Sequence, residues 1–226
     1  MVASTPVAVV EFTERQLTLK LVYYGPPQSG KTTNLRAIHA RVDRLNRGRL
    51  VTLDTRDDRT LFFDLLPIFF QASSWAFRVK IYTVPGQPLH EATRRLVLQA
   101  ADGIVFVADS SADQQAANAE SYANLVRNLS LVDLDPARVP IVVQYNKRDL
   151  PDRIPDAQLR SFDAGAHTIV PAVARGGEGV TETFLAVLEQ AWRAVDQGVR
   201  FERSLGVSPA EIMSIMRGHL GLADPP

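Results

Sequence analysis

Residues 23–34 read YYGPPQSGKTTN and follow directly on the apolar run LTLKLV of residues 17–22. Gly25, Gly30, Lys31 and Thr32 satisfy the pattern GxxxxGK[ST], here joining a predicted strand to a predicted helix as that pattern requires. Glycine lets the backbone wrap closely around phosphate, and the successive N–H groups of Gln28, Ser29 and Gly30 at the helix N-terminus offer partial positive charge. Lys31 would neutralise phosphate oxygens, Thr32 would offer its hydroxyl to Mg²⁺, and Thr33 would add a donor to an α-phosphate. The alternative, an ordinary strand-to-helix turn with a solvated lysine, explains the letters but not their placement.

Working outward, short β-branched or aromatic runs alternate with helical spacing. Leu17–Tyr24, Leu50–Asp54, Phe77–Thr83, Gly103–Asp109, Pro140–Tyr145 and Thr168–Val170 read as strands. Thr33–Leu45, His90–Gln99, Ala116–Leu131, Asp156–Arg160 and Val180–Val195 read as helices. Continuous apolar strands such as IVFVA and PIVVQY suit a mostly parallel sheet covered on both faces. The fold class expected is therefore α/β, doubly wound. Residues 1–14 read as an N-terminal tail, 15–196 as one domain, and 197–226 as an extension made of a linker and a short helix opened by Ser208-Pro209.

Composition narrows the function. Among 226 residues, 25 Lys and Arg balance 25 Asp and Glu, so no global field draws the chain to nucleic acid or an anionic membrane. The absence of cysteine excludes disulfides and thiolate metal sites and favours a reducing, cytoplasmic compartment. No secretory leader, membrane span or lipid anchor is expected: the N-terminus lacks a basic and apolar signal pattern, Val2 replaces the glycine myristoylation needs, and the chain ends ADPP.

The base is chosen elsewhere. In IVVQYNKRDL, residues 141–150, Asn146, Lys147 and Asp149 follow an apolar strand at its carboxyl end, where open α/β sheets bind ligands. The Asp149 carboxylate can accept two hydrogen bonds from guanine's ring N–H and amino group, which adenine does not offer at that edge. Charge-assisted bonds of roughly 1.5–3 kcal/mol each make this a strong preference. A charged turn after a strand is the plainer reading of the same residues.

With both motifs in hand, the chain resembles the Ras-like small GTPases, and TVPGQ (83–87) with DDRTLFFDLLP (57–67) resembles the bacterial MglA subfamily of polarity and gliding-motility GTPases. The resemblance spans roughly residues 15–196. It implies a Ras-like P-loop domain using GTP, GDP and Mg²⁺, with Ala174 offering its backbone N–H to the base oxygen. It also implies a Roadblock-class activating partner and polarity or motility effectors, with recruitment to a cell pole by such partners.

Catalysis of this kind rests on positioning and charge stabilisation. Gln87, next to Gly86, is expected to orient the attacking water. Arg59 resembles an arginine finger carried in the same chain, and a well-placed arginine is worth about 10³–10⁵ in rate; its alternative role is pairing with Asp57 or Asp58 on the surface. Thr60 would bind Mg²⁺ and the γ-phosphate in the GTP state only, making this loop a switch.

Two residues depart from the wider pattern. Thr83 stands where most Ras-like proteins carry an aspartate facing Mg²⁺, leaving Asp54, Asp57 or Asp58 as candidates to compensate. Pro27 adds bulk and removes an N–H where the phosphate loop is usually glycine, so slow or altered hydrolysis is expected. LFFDLLPIFF (61–70) is expected as a buried strand, with a partner-binding surface as the alternative. Arg41, Arg44, Arg47 and Arg49 suit the negative end of the first helix. Ile212, Ile215, Met216 and Leu220 form a helical stripe expected to pack on the chain's own domain. The leading function is a GTP-hydrolysing switch; a nucleotide-dependent scaffold with little turnover is the alternative, and a P-loop kinase has no support in the motifs.

Overall fold

A computed structural model describes residues 9–54, 62–87, 90–159, 167–200, 203 and 206–222. Its strands are β1 (Val9–Glu11), β2 (Gln16–Tyr24), β3 (Val51–Asp54), β4 (Phe62–Ala72), β5 (Trp75–Thr83), β6 (Gly103–Asp109), β7 (Ile141–Asn146) and β8 (Thr168–Pro171). They form one sheet in the order β3-β4-β5-β2-β6-β7-β8, with β1 added to β2. The pairs β2–β5, β2–β6, β6–β7 and β7–β8 are parallel; β1–β2, β3–β4 and β4–β5 are antiparallel. The helices are α1 (Lys31–Arg41), α2 (Glu91–Leu98), α3 (Gln115–Leu131), α4 (Val180–Val199) and α5 (Pro209–His219). This is the mostly parallel, doubly wound α/β sheet that the sequence predicts.

The period of two along β2 builds both halves of the core. Leu17, Leu19, Leu21 and Tyr23 face a layer with α1, α4 and α5, including Leu35, Phe184, Trp192, Ile212 and Met216. Val22 and Tyr24 face the other layer, with Val97 of α2 and Leu125 and Leu129 of α3. Because β2 lies between β5 and β6, the chain leaving it changes direction across the sheet there, and a crevice opens at the strands' carboxyl ends.

Several elements differ from the expectations. Within the residues read as a tail, Val9–Glu11 pair with Gln16–Thr18, a strand too short to show any period. The first helix stops at Arg41 because Val42 is extended, and Asp43 accepts from the Leu45 amide at 3.0 Å to start a separate 3₁₀ turn, Arg44–Asn46. The helix expected over Asp156–Arg160 is a single 3₁₀ turn at Asp156–Gln158 after Pro155. Residues 62–70 of the run LFFDLLPIFF lie in β4, whose alternate residues Asp64, Leu66, Ile68 and Phe70 are buried, and Leu61 lies outside the described residues. Pro67 is tolerated there because β3 pairs only as far as Leu65; the Pro67 carbonyl instead accepts from Gly48 N at 2.9 Å.

The C-terminal helix α5 starts at Ser208, whose hydroxyl accepts from Glu211 N at 3.2 Å, with Pro209 in its first turn. Its buried Ile212 and Met216 share the core layer of β2 and β4. At its far end the His219 carbonyl accepts from Asp43 N at 3.1 Å, tying it to the exit of α1.

Candidate functional site

The turn from β2 into α1 carries three positive-φ residues in six: Gly25 at φ 146°, Gln28 at φ 60° and Gly30 at φ 105°. At Gly30 a Cβ would stand 2.1 Å from Asn146 Nδ2, so only glycine lets the loop and the β7 exit approach this closely. Asn146 uses that proximity: its Nδ2 donates to the Ser29 carbonyl at 2.8 Å, and its Oδ1 accepts from Ala174 N at 2.8 Å. One side chain therefore joins the GxxxxGK[ST] loop, the NKRD segment and the loop after β8. The Ala174 amide, which the resemblance assigns to a base oxygen, is engaged by Asn146 in this structure.

Two cavities flank the loop and share Gln28. One, of about 280 Å³, is lined by Gly30, Thr33, Asn146, Lys147, Asp149 and Ala174 among others. Asp149 is exposed on its wall. Lys147, held in a left-handed conformation at φ 68°, pairs with buried Asp109 at the end of β6. The other cavity, of about 420 Å³, is lined by Pro27, Lys31, Thr32, Thr83, Gly86, Gln87 and His90 among others. Gly25 opens the loop at the end of β2, and its carbonyl with that of Pro26 accepts from Lys31 Nζ at 2.9 and 2.7 Å. Burial, reinforced by the Arg94 charge and opposed by Asp64, pushes the Lys31 ammonium down to about 7. An anion entering here would restore its charge. Gln87 is exposed at the cavity mouth. Arg59 and Thr60 lie outside the described residues.

The carboxylate missing at Thr83 is supplied from another strand. Asp64 of β4, 2% exposed, accepts from Thr32 Oγ1 at 2.6 Å and Thr83 Oγ1 at 3.0 Å through Oδ2, and from Thr52 Oγ1 at 2.7 Å through Oδ1. Its own amide donates to Thr83 Oγ1 at 3.0 Å, so β4 and β5 are locked side chain to backbone at this point. Asp64, rather than the candidates Asp54, Asp57 and Asp58, fills this place; an acid inside an apolar run reads as part of a strand. The available signal was period two: Asp64 shares the inward face with Leu66, Ile68 and Phe70. A second missed group is the buried network of Asn34, Gln144 and Thr183. Paired amide bonds of 2.7 and 2.9 Å between Asn34 and Gln144, and one of 2.8 Å to Thr183, fix α1 to β7 and α4 behind the loop.

Among the described residues, no group of three or more His, Cys, Asp or Glu side chains is arranged to hold a metal unaided. A magnesium ion that keeps its waters and takes phosphate oxygens needs only one or two protein oxygens, and the Thr32 hydroxyl with Asp64 behind it fits that demand. Among the same residues no helix is long and apolar enough to cross a membrane.

No family model matches the chain. It is similar to the Mutual gliding-motility protein MglA of Myxococcus xanthus (strain DK1622), being 41% identical over 193 residues that span 84% of this chain and 98% of that protein. A match of that extent, on a chain whose sheet order, phosphate loop and NKRD segment are arranged as above, identifies the family: the protein belongs to the MglA subfamily of Ras-like small GTPases.

Proposed function

We propose that the protein binds guanine nucleotide in the two cavities and hydrolyses GTP to GDP and phosphate, acting as a switch in motility or cell polarity. The observation carrying this reading is the Asn146 bridge, which makes the phosphate loop and the base-selecting segment one continuous wall. The polyphosphate would lie along Gln28–Thr33 with Lys31 against its β- and γ-oxygens, and guanine against Asp149. Bound Mg²⁺ would neutralise charge on the same oxygens, held by Thr32 and, in the GTP state, Thr60. Asp64 would orient the Thr32 hydroxyl so that a lone pair, not the proton, faces the ion.

Gln87 accepts a hydrogen bond from the attacking water and donates another to it, aligning its oxygen with the γ-phosphorus. As that bond forms, the bond to the β–γ bridging oxygen breaks, and Arg59 offsets the charge developing on the transferred group. The motility assignment comes from the name of the Myxococcus relative. The family resemblance of the sequence motifs, rather than that name, implies the Roadblock-class activator, the polarity or motility effectors, and a cytoplasmic protein recruited to a pole by partners.

Multiple-turnover GTPase assays with and without a Roadblock-class protein test the proposal. Phosphate release that rises on adding that protein is expected. Tight GTP binding with turnover never above background would favour the alternative, a scaffold that docks without hydrolysing. Pro27 gives that alternative its support: it lines the cavity where Gln87 and water must meet the terminal phosphate.

A further inference from the structure

Arg94, on α2, is 6% exposed, and its donors are distributed over four acceptors. Nε donates to the Pro85 carbonyl at 3.0 Å and Nη2 to the Gly86 carbonyl at 2.7 Å. Nη1 reaches Glu91 Oε2 at 3.2 Å and Asn124 Oδ1 at 2.9 Å. An arginine this deeply buried, spending half of these bonds on two consecutive carbonyls, fixes the orientation of two peptide planes.

The chain contains no cis peptide among the described residues, and in a trans peptide the carbonyl and the following N–H point in opposite directions. Drawing the Pro85 and Gly86 carbonyls toward Arg94 therefore turns the amides of Gly86 and Gln87 away from it. Gly86 is a partition. On one side is a cavity of about 190 Å³ with Arg94, Glu91 and Asn124 in its wall; on the other is the 420 Å³ cavity with Lys31 and Thr32. Neither amide donates to a protein acceptor among the described residues. The partition also rests on the phosphate loop, since a Cβ at Gly86 would lie 2.5 Å from both N and Cα of Pro27.

The arginine is itself braced. Asn124 of α3 donates to both Glu91 carboxylate oxygens at 3.2 and 3.3 Å, while its Oδ1 also accepts from Asn128 at 3.1 Å and from the Tyr24 hydroxyl. The guanidinium lies 5.9 Å from the centre of the Tyr24 ring. The charge on Arg94, paired with Glu91 on its own side of the partition, also contributes to the lowering at Lys31 on the other side.

We propose that Arg94 is a positioning residue: it presets the Pro85–Gly86 and Gly86–Gln87 peptides as two amide donors for the terminal phosphate and thereby sets the preference for GTP over GDP. The inference rests on the guanine-nucleotide reading above. A lysine at position 94 would keep the charge but not the planar fork, whose Nε and Nη2 bond the two carbonyls while Nη1 is held by Glu91 and Asn124.

Calorimetric titration of GDP and of GTPγS with Mg²⁺ into wild type, Arg94→Lys, Arg94→Gln and Asn124→Ala tests it. GDP affinity is expected to stay within about threefold, while GTPγS weakens about tenfold to a hundredfold in Arg94→Gln, as loss of one or two charge-assisted bonds implies, and by less in Arg94→Lys and Asn124→Ala. Equal weakening of both nucleotides, or no change in their ratio, overturns the proposal. Where an Arg94 variant does not fold, Asn124→Ala decides by the same ratio. Wild type binding neither nucleotide would instead overturn the underlying assignment.

Discussion

Replacing Asp64 by asparagine changes one side-chain oxygen to an amide and removes one negative charge from beneath Thr32 and Thr83. The carboxylate accepts three hydroxyl hydrogen bonds of 2.6, 2.7 and 3.0 Å. Bonds to a charged acceptor are worth about 1.5–3 kcal/mol and neutral ones about 0.5–1.5, so the exchange costs about 1–1.5 kcal/mol per bond and about 3–4.5 kcal/mol of folding stability over the three. The functional effect is more specific. Groups that orient a metal ligand typically contribute 10–100-fold to metal affinity, or about 1.4–2.7 kcal/mol, and Thr32 without Asp64 loses the partner that directs its proton away from the ion. Dissociation of a fluorescent GDP, followed as free Mg²⁺ is raised, reads this directly. Wild type should slow at low Mg²⁺, whereas Asp64→Asn should need about 10–100-fold more and match wild type when the ion is chelated. The double variant Asp64→Asn, Thr83→Asp returns a carboxylate to the same spot from β5 and should recover most of the effect. A Mg²⁺ midpoint within twofold of wild type in Asp64→Asn would refute the reasoning.

Three further outcomes follow from the same structure. Lys31, pushed down to about 7 in the free protein, is held charged by bound phosphate, so nucleotide binding takes up a proton above that pH and affinity falls by up to about tenfold per pH unit. Calorimetry at about pH 8 in buffers of different ionisation enthalpy should show that uptake, and none would contradict it. Burial pushes Asp102 up to about 7, against the opposing pull of the Lys20 amide at 2.7 Å and the Lys20 charge; Oδ1 has no hydrogen-bond partner among the described residues. Its folded value is raised above the unfolded one, so the folded state binds the extra proton and stability falls as pH rises from about 4 to 7. At about 1.4 kcal/mol per unit the loss is at most about 4 kcal/mol. Asp102→Asn, which keeps the acceptor for Lys20 N, should raise the denaturation midpoint at pH 8 and not at pH 4; an equal effect at both would argue against it. Pro27→Gly should change the single-turnover rate of GTP hydrolysis, and equal rates would remove Pro27 as an influence on catalysis.

The phosphate loop, the parallel strands and the order of elements were legible because each follows from local chemistry: a glycine-bounded loop, fully apolar strands and helical spacing. What sequence could not show arises from pairing across long separations. Asp64 meets Thr32 from 32 positions away because β4 turns back antiparallel to β5; the period of two in LFFDLLPIFF puts that acid on the buried face but does not say which hydroxyls it meets. Asn146 carries a familiar motif, yet its bond to Ser29 spans 117 positions. The value of Arg94 comes from facing Pro85 and Gly86 on one side and α3 on the other, pairings that no spacing along the chain announces. The first helix was extended too far because apolar Val42 and Leu45 keep its spacing, while Asp43 captures the local backbone and ends it.

The pocket proposed for guanine nucleotide is built across Asn146. Competitive titration of purified, nucleotide-stripped protein with GDP, GTP, ADP and ATP in Mg²⁺ decides whether it is one. Both guanine nucleotides are expected to bind, with neither adenine nucleotide competing at comparable concentration; ATP binding as tightly as GTP, or no binding of either guanine nucleotide, would overturn the assignment.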